Sequence, residues 1–444
     1  MIAPIYRYSK GLAHASCLLA VAHVLGACGG SDGAPDNSGG VPNAGAAGTG
    51  VGAGGAIGSG GSGLGNGGAT AQGGMLAASG GGSTTGGASA GGASGSSTGG
   101  VGASAGIGGA NAGGGFTGGS GGAGGGAAGG GAGACKFSSG LNVAWVNFAN
   151  DVPNPQLATF QTIFKNTHDA GGRVVRWWFH TNGSVTPGYN SDGTVKALQQ
   201  SHIDGVKAIL AAAHSAGVAV NISLWSFDMA QDNAMGAAAN NKNLMTQDNI
   251  RQSYADNYLT PLVKALKGTP GLYSYEIFNE PEGMSTSGWA TQWKIDISYI
   301  QKAVNWWAAA IHAADPTALV TNGSQTMDYR TKYTDSALIA AGGKPNGTLD
   351  FYEVHFYQQN GQANNVFANP RSHWGLSDKK LVIGEFSIDG TAPVAGDDSY
   401  TYFFNNGYDG GWAWAYTADN KWPSMQKPMN NLYTAQKATI DACP

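Results

Sequence analysis

The chain has 444 residues, 75 of them glycine, and a formal charge of −4 at neutral pH. A slightly acidic chain with no basic cluster is poorly suited to a polyphosphate backbone, which excludes nucleic acid as a partner. The glycine is concentrated: 48 of these residues lie between Gly29 and Gly133, where Asp32 and Asp36 are the sole charges and Phe116 the sole aromatic side chain. Such a stretch buries too little apolar surface to offset the entropy of ordering, so 29–134 is expected to be a disordered Gly/Ala/Ser-rich tether. As a flexible coil of roughly a hundred residues it would have an r.m.s. reach on the order of 50–60 Å. The globular part is then 135–444, long enough for one large α/β domain with its own core, and is expected to be a monomer.

Ahead of the tether, Arg7 and Lys10 precede a short apolar run from Ala15 to Leu25. That is the order of an export signal, and the run is too short to remain in a bilayer as an anchor. It ends Leu25-Gly26-Ala27-Cys28, which resembles the lipobox of bacterial lipoproteins. The resemblance implies that 1–28 is a signal cleaved before Cys28, that Cys28 carries lipid, and that the exported protein is tethered to a membrane surface. Gly29 rather than Asp follows the cysteine, the pattern that permits passage to the outer membrane and cell surface in Gram-negative lipoproteins. An ordinary secretory signal with an incidental cysteine is the alternative. Of the remaining cysteines, Cys17 lies inside the signal, Cys135 opens the globular part and Cys443 all but closes it. A pair that brackets an exported domain is most simply a disulfide, worth on the order of 4–5 kcal/mol on the loop-entropy account; two free thiols are the alternative.

From Cys135 onward, short apolar runs alternate with helical patterns. Leu141 opens a first strand (LNVAWVN), Gln156–His168 reads as a helix, and Arg173 opens a second strand (RVVRWWFH). The helix His202–Ser215 carries Ile203, Val206, Ile209, Leu210 and Ala213 on one face. Val218 opens a third strand (VAVNISLW), and a helix over Asn249–Leu266 leads to a fourth (LYSYEIF). A long helix over Trp293–Ala313 precedes a fifth strand from Ala318, and a short helix over Asp335–Ala341 precedes a sixth from Leu349. A weak helix near Asn364–Ser372 leads to the seventh strand (KLVIGEFS), a helix over Tyr400–Asn405 to the eighth (GGWAWAY), and Leu432–Asp441 closes the chain. Eight strands alternating with helices predict a (β/α)8 TIM barrel.

In that fold chemistry sits at the C-terminal strand ends. The fourth strand ends in Asn279-Glu280-Pro281 and the seventh carries Glu385 at its end. A carboxylate left at the end of an apolar run is costly without a partner, and two of them in one α/β chain are the raw material of glycoside hydrolysis. The other strand ends are also polar or aromatic: Arg176-Trp177-Trp178, His355-Phe356-Tyr357 and Trp412-Ala413-Trp414. Period-two alternation puts His355 with Tyr357 on one face and Trp412 with Trp414 on another. Tryptophan and tyrosine lie almost wholly in this part of the chain, which suits carbohydrate better than phosphate. No His/Cys/Asp cluster has metal-ligand spacing and no phosphate-cradling glycine loop follows a strand, so neither metal nor cofactor is expected.

On these motifs residues 141–416 resemble glycoside hydrolase family 5, in the clan of retaining barrel glycosidases. The Asn-Glu-Pro at 279–281 matches the family's acid/base motif after strand four, and Gly384-Glu385-Phe386 its nucleophile after strand seven. His355-x-Tyr357 matches the strand-six pair, Arg176 the strand-two arginine and Trp414 the strand-eight tryptophan. Many members, cellulases above all, have a histidine near the end of strand three, where this chain reads Leu224-Trp225-Ser226-Phe227-Asp228. The Arg-x-Trp of strand two is closer to the β-mannanases. The resemblance therefore implies a retaining endo-acting enzyme on β-1,4-linked polysaccharide, mannan before glucan, with a β-1,4-glucanase or a non-catalytic glycan-binding barrel as alternatives. It implies that Glu280 is the acid/base, Glu385 the nucleophile kept ionised by Arg176 and Tyr357, and Asn279 a contact for the sugar 2-hydroxyl. It further implies that Trp414 is a platform for the sugar and that His355 orders the acid/base side. Glu276 and Glu353 share parity with these residues and are expected to be satisfied core acids. Of Trp177, Trp178, Trp225, Trp374 and Trp412, Trp178 and one other are expected to line the cleft. Asp228 either binds a sugar hydroxyl or caps a loop.

Overall fold

The apolar runs become parallel strands covered on both faces, which is why they read as near-continuous hydrophobic stretches. The strands are β1 (Ser138–Ala144), β2 (Val174–Thr181), β3 (Ala219–Ser226), β4 (Leu272–Asn279), β5 (Val320–Ser324), β6 (Phe351–Phe356), β7 (Lys380–Ser387) and β8 (Gly410–Trp414). Each pairs with the next in parallel, and β1 pairs with β8 to close the barrel. This computed structural model describes residues 135–388, 398–417 and 421–443. The expected signal, Cys28 and the glycine tether lie outside the described residues. Among the described residues, no helix is long and apolar enough to cross a membrane.

Alternation along the strands sorts side chains between the barrel interior and the helical layer. On β2, Val174, Arg176 and Trp178 share one parity; on β6, Phe351, Glu353 and His355 do. Val174, Phe351, Val382 and Trp412 form a separate apolar floor. Above this floor the same strands deliver Arg176, Glu353 and Glu385 to one another. The opposite parity, with Val175, Trp177 and Phe179 on β2, joins the main core under the helices. The interior thus passes from an apolar floor to a charged layer within two residues of each strand.

The helices differ from expectation mainly at their ends. The long helix begins at Ile297 rather than Trp293, because the Asp296 side chain caps it by accepting from Ser298 N. The stretch from Asp248 to Leu266 is helical but passes through a π turn at Ala255–Leu259, just before Pro261. No α-helix forms near 364–372; two 3₁₀ turns, Gln362–Asn364 and Arg371–Trp374, flank Pro370 instead. The closing helix runs Trp422–Ile440, ten residues longer at its start, and Ala238–Thr246 is a helix that the sequence pattern does not announce. A disulfide joins Cys135 to Cys443 with their Cα atoms 4.4 Å apart, so the two ends of the described chain are tied below the start of β1.

Candidate active site

Three strands end on the same upper rim with a non-glycine residue in left-handed backbone: Ala144 (φ 56°), Thr181 (φ 59°) and Glu280 (φ 43°). Such conformations cost on the order of 1–3 kcal/mol each and collect at functional sites. At Glu280 the kink turns the chain out of β4 into the 3₁₀ turn Pro281–Met284, while the Glu280 N–H still donates to Gly323 O of β5 at 2.7 Å. The carboxyl is thereby left at the barrel mouth.

Arg176 organises the layer beneath. Its Nε donates to Glu276 Oε2 (2.6 Å) and one Nη2 hydrogen to Glu276 Oε1 (2.6 Å), a bidentate pair. The second Nη2 hydrogen goes to Asn279 Oδ1 (2.8 Å), and Nη1 serves Asn142 Oδ1 (2.9 Å) and Glu385 Oε1 (2.6 Å). These five bonds engage all five guanidinium N–H donors. Burial opposes the charge, but Glu276 and Glu385 outweigh it, and the guanidinium is held more firmly protonated than usual. Glu276 also accepts from Asn221 Nδ2 (3.0 Å), so it is the satisfied core acid expected.

Glu353 is a core acid but not a satisfied one. It is fully buried, and neither of its oxygens has a hydrogen-bond partner. Its Oε1 stands 3.1 Å from Arg176 Nε, whose single hydrogen is already engaged by Glu276. Burial, and then the charge of Glu276, push its carboxyl well above the usual range. Two glycines make the space: a Cβ on Gly384 would lie 2.2 Å from Glu353 Oε1, and one on Gly323 would lie 2.4 Å from Glu276 Oε1.

Glu385 accepts from Arg176 through Oε1 and from Tyr357 Oη through Oε2 (2.7 Å). Burial raises its carboxyl, while the Arg176 charge and the Tyr357 hydrogen bond pull it back. Glu280 has no such brace. Its Oε1 lies 3.0 Å from His355 Nδ1, and burial, the Glu385 charge and the Glu282 charge push it well above the carboxylate range. Burial and Arg176 hold His355 neutral, well below its ordinary value. Ligand-type atoms of Glu280, His355 and Glu385 all lie within 4.8 Å of one another, as do those of Glu276, Glu353 and His355. Residues far apart in sequence thus form two clusters with the reach to hold a cation. Arg176 already brings positive charge to both, through Glu385 in the first and through Glu276 and Glu353 in the second.

Trp178 is almost buried and tilts against Trp414 (ring centroids 5.6 Å apart), with Arg176 beneath its ring at 5.7 Å. Its other neighbour is Trp145, 5.3 Å away and half-buried, carried just past the kink at Ala144. Trp145 is a site residue beyond those expected from the sequence, and its signal is a tryptophan one residue past a barrel strand end. None of the other tryptophans weighed with Trp178 joins this cluster. Trp412 lies in the floor, Trp177 donates to Asp151 Oδ2 (3.2 Å), Trp225 packs on His180, and Trp374 donates to Tyr408 Oη (2.7 Å). Across the mouth, Asn279 is fixed between Arg176 and Ser226 Oγ, to which its Nδ2 donates at 3.2 Å. Asp228 accepts from Ser226 Oγ (2.6 Å) and from Asn233 Nδ2 (3.3 Å) at the start of a 3₁₀ turn, and is close enough to raise Glu280 further. Phe227 and Trp289 form a half-buried edge-to-face pair beside it. Glu282, buried and accepting from Gln325 N (3.1 Å), is pushed up to about 7 by desolvation.

Two adjacent carboxyls, one braced by a cation and a phenol and the other not, at the C-terminal mouth of a parallel barrel with a tryptophan wall, are the site of a barrel glycosidase. The sequence profile of Cellulase (glycosyl hydrolase family 5) matches residues 135–420, and the chain belongs to this family. It is a glycoside hydrolase. It is 32% identical to a mannan endo-1,4-beta-mannosidase of Mytilus edulis over 328 residues, 67% of this chain and 88% of that one. A mannan endo-1,4-beta-mannosidase of Cryptopygus antarcticus is 33% identical over 318 residues, 64% of this chain and 81% of that one. The X-ray structure of the Mytilus edulis beta-mannanase superposes with a TM-score of 0.62 at 32% identity, covering 67% of this chain and 92% of that chain.

Proposed function

We propose that the protein is a monomeric retaining endo-β-1,4-mannanase in which Glu280 is the acid/base and Glu385 the nucleophile. The observation that carries the substrate is the likeness to two mannan endo-1,4-beta-mannosidases, spanning most of their length and nearly all of the barrel here. The mechanism is supported by the approach of the two carboxyls to within 4.8 Å. Such proximity fits a retaining pair, whose carboxyls stand about 5–5.5 Å apart, and is short of the 6.5–9.5 Å that lets an inverting enzyme seat a water.

In the first step Glu385 attacks the anomeric carbon while Glu280 protonates the departing oxygen. Arg176 and Tyr357 keep the attacking carboxylate ionised; burial and the charge of Glu385 keep the proton on Glu280. Once Glu385 is esterified its negative charge is gone, and with it one cause of Glu280's raised affinity for protons. Glu280 then accepts a proton from the incoming water, and the sugar leaves with its configuration retained. Trp414 and Trp178 offer apolar faces to the ring held at the cleavage point, and Asn279 is oriented to meet its 2-hydroxyl.

Reducing-sugar release from galactomannan, glucomannan and carboxymethylcellulose tests the substrate. Cleavage of both mannans with little action on the cellulose derivative is expected; action on the cellulose derivative alone makes the enzyme a β-glucanase. NMR of the first product anomer tests retention. We also propose that the enzyme is exported and lipid-anchored through Cys28, a reading supported by the order of Arg7, the apolar run, Leu25-Gly26-Ala27-Cys28 and the glycine tether. Radiolabelled palmitate incorporated by the intact chain but not by a Cys28→Ser variant is the expected result.

A further inference from the structure

We propose that Glu353, as a neutral carboxylic acid, donates a hydrogen bond to His355 Nε2 and so fixes which oxygen of Glu280 carries the catalytic proton. This rests on the assignment of Glu280 as the acid and names a positioning residue for it.

The hydrogen-bond donors around Glu353 are already engaged elsewhere. Facing Glu353 are Arg176 from β2, Glu276 and Tyr273 from β4, Glu385 from β7 and His355 from its own strand; the Tyr273 hydroxyl is paired with Ser138 and makes no bond to either Glu353 oxygen. Arg176 is the single cation among them, and its five N–H groups are already directed at Glu276, Asn279, Asn142 and Glu385. A buried carboxylate with no donor is a large penalty, whereas a carboxylic acid supplies its own donor and needs only an acceptor. The acceptor within reach is His355 Nε2, itself buried, without a partner, and 3.8 Å from Glu353 Oε1. A small rotation of the carboxyl closes that distance, and Gly323 leaves the space beside Nε2 open, where a Cβ would lie 3.0 Å away.

A neutral imidazole has one N–H, so the bond made by one nitrogen sets the other. If Nε2 accepts from Glu353, the hydrogen is on Nδ1, and Nδ1 donates to Glu280 Oε1 at 3.0 Å. An oxygen that accepts there does not hold the acid proton, which is left on Oε2, the oxygen His355 does not engage and the one available to a leaving group. With the opposite tautomer, Nδ1 would present a lone pair to Glu280 Oε1 and to Glu385 Oε1, 3.6 Å away, and the acid proton would be drawn towards the histidine and away from the substrate.

The first test is ¹⁵N NMR of histidine-labelled wild-type protein, with the His355 signals identified by their loss in His355→Gln. A protonated Nδ1 and an unprotonated Nε2 are expected; a protonated Nε2 overturns the proposal. The second is kinetic. Glu353→Gln, whose amide N–H can still donate to Nε2, is expected to hold kcat/KM within about threefold on both mannopentaose and 2,4-dinitrophenyl β-mannobioside. Glu353→Met, of similar length but with no donor, is expected to lose about 10- to 100-fold on mannopentaose, whose leaving oxygen needs the proton, and less than about threefold on the aryl glycoside, whose leaving group does not. Equal losses on both substrates, a Gln variant as impaired as the Met variant, or a Met variant with wild-type kinetics each overturn it. Should Glu353→Met fail to fold, the Gln variant and the NMR signals decide alone. A wild-type enzyme that ignores mannopentaose would refute the mannan reading while leaving the histidine measurement intact.

Discussion

At the scale of the residue, Glu280 and Glu385 are the same side chain in two electrostatic settings, and the setting assigns the roles. Both are raised by burial, but Arg176 and Tyr357 bond directly to Glu385, whereas Arg176 reaches Glu280 through its charge alone and the Glu385 charge raises Glu280 further, so the pair gives up its first proton from Glu385 and its second from Glu280. A nucleophile must be ionised, so activity rises as pH climbs through the lower value; an acid must be protonated, so activity falls as pH climbs through the higher one. A bell-shaped kcat/KM profile is expected. In Tyr357→Phe the hydrogen bond that favours ionised Glu385 is lost, and the acidic limb should move to higher pH, with kcat/KM on mannan down roughly tenfold on that limb. An acidic limb that stays in place would remove Tyr357 from this role. Glu280→Ala should lower turnover of mannan by about 10²–10⁴ and abolish the alkaline limb. Added azide should then restore turnover of an activated aryl mannoside and yield a β-configured mannosyl azide; an α-configured product would reverse the assignment of acid and nucleophile.

At the scale of the element, the eight strands and the carboxylates at their ends were legible, because a strand buried on both faces must be an apolar run and a polar residue at its end has few cheap explanations. Ends of helices were less legible, since they turn on single bonds such as the Asp296 cap, and Ala238–Thr246 lacks the apolar contrast that would announce it. Within the site, Arg176, Glu280 and Glu385 could be read from their positions. Glu353 could not be read in full: its parity says that it points inward, but its protonation depends on how many Arg176 donors remain, a property of five other side chains. Trp145 depends likewise on the left-handed turn at Ala144. The glycines are also decided across strands rather than along them. In Gly384→Ala the new Cβ would fall 2.2 Å from Glu353 Oε1, with no solvent for the carboxyl to retreat into. A loss of about 1–3 kcal/mol is expected, read as a lower denaturant midpoint with an unchanged slope. An unchanged midpoint would mean that the acid layer has room to shift, and the donor count at Arg176 would then have to be remade.

At the scale of the molecule, a barrel closed by β1 against β8 makes the two ends of the described domain neighbours, and the disulfide turns that proximity into a covalent ring. Cys135 lies three residues before β1, and Cys443 three residues after the helix Trp422–Ile440, so the link pins the first strand to the last helix. Its sequence separation is 308 residues, which places nearly the whole folded domain inside the loop it closes. The entropy removed from the unfolded chain grows only with the logarithm of that length, so even this long loop gains no more than about 5–6 kcal/mol on the loop-entropy account. For a domain of this size that corresponds to a melting temperature lower by roughly 6–12 °C when both cysteines are replaced by alanine. The catalytic layer sits at the other ends of the strands and touches neither cysteine, so kcat/KM at 25 °C should be unchanged in the same variant. The two measurements separate the possibilities. A lower melting temperature with intact kinetics is what a ring closed at the barrel floor requires, and reductant added to the wild-type protein should reproduce it. A loss of activity at 25 °C would mean instead that a change at the ends of the domain reaches Glu280 and Glu385 through the strands, and that the floor and the mouth of the barrel are not mechanically independent.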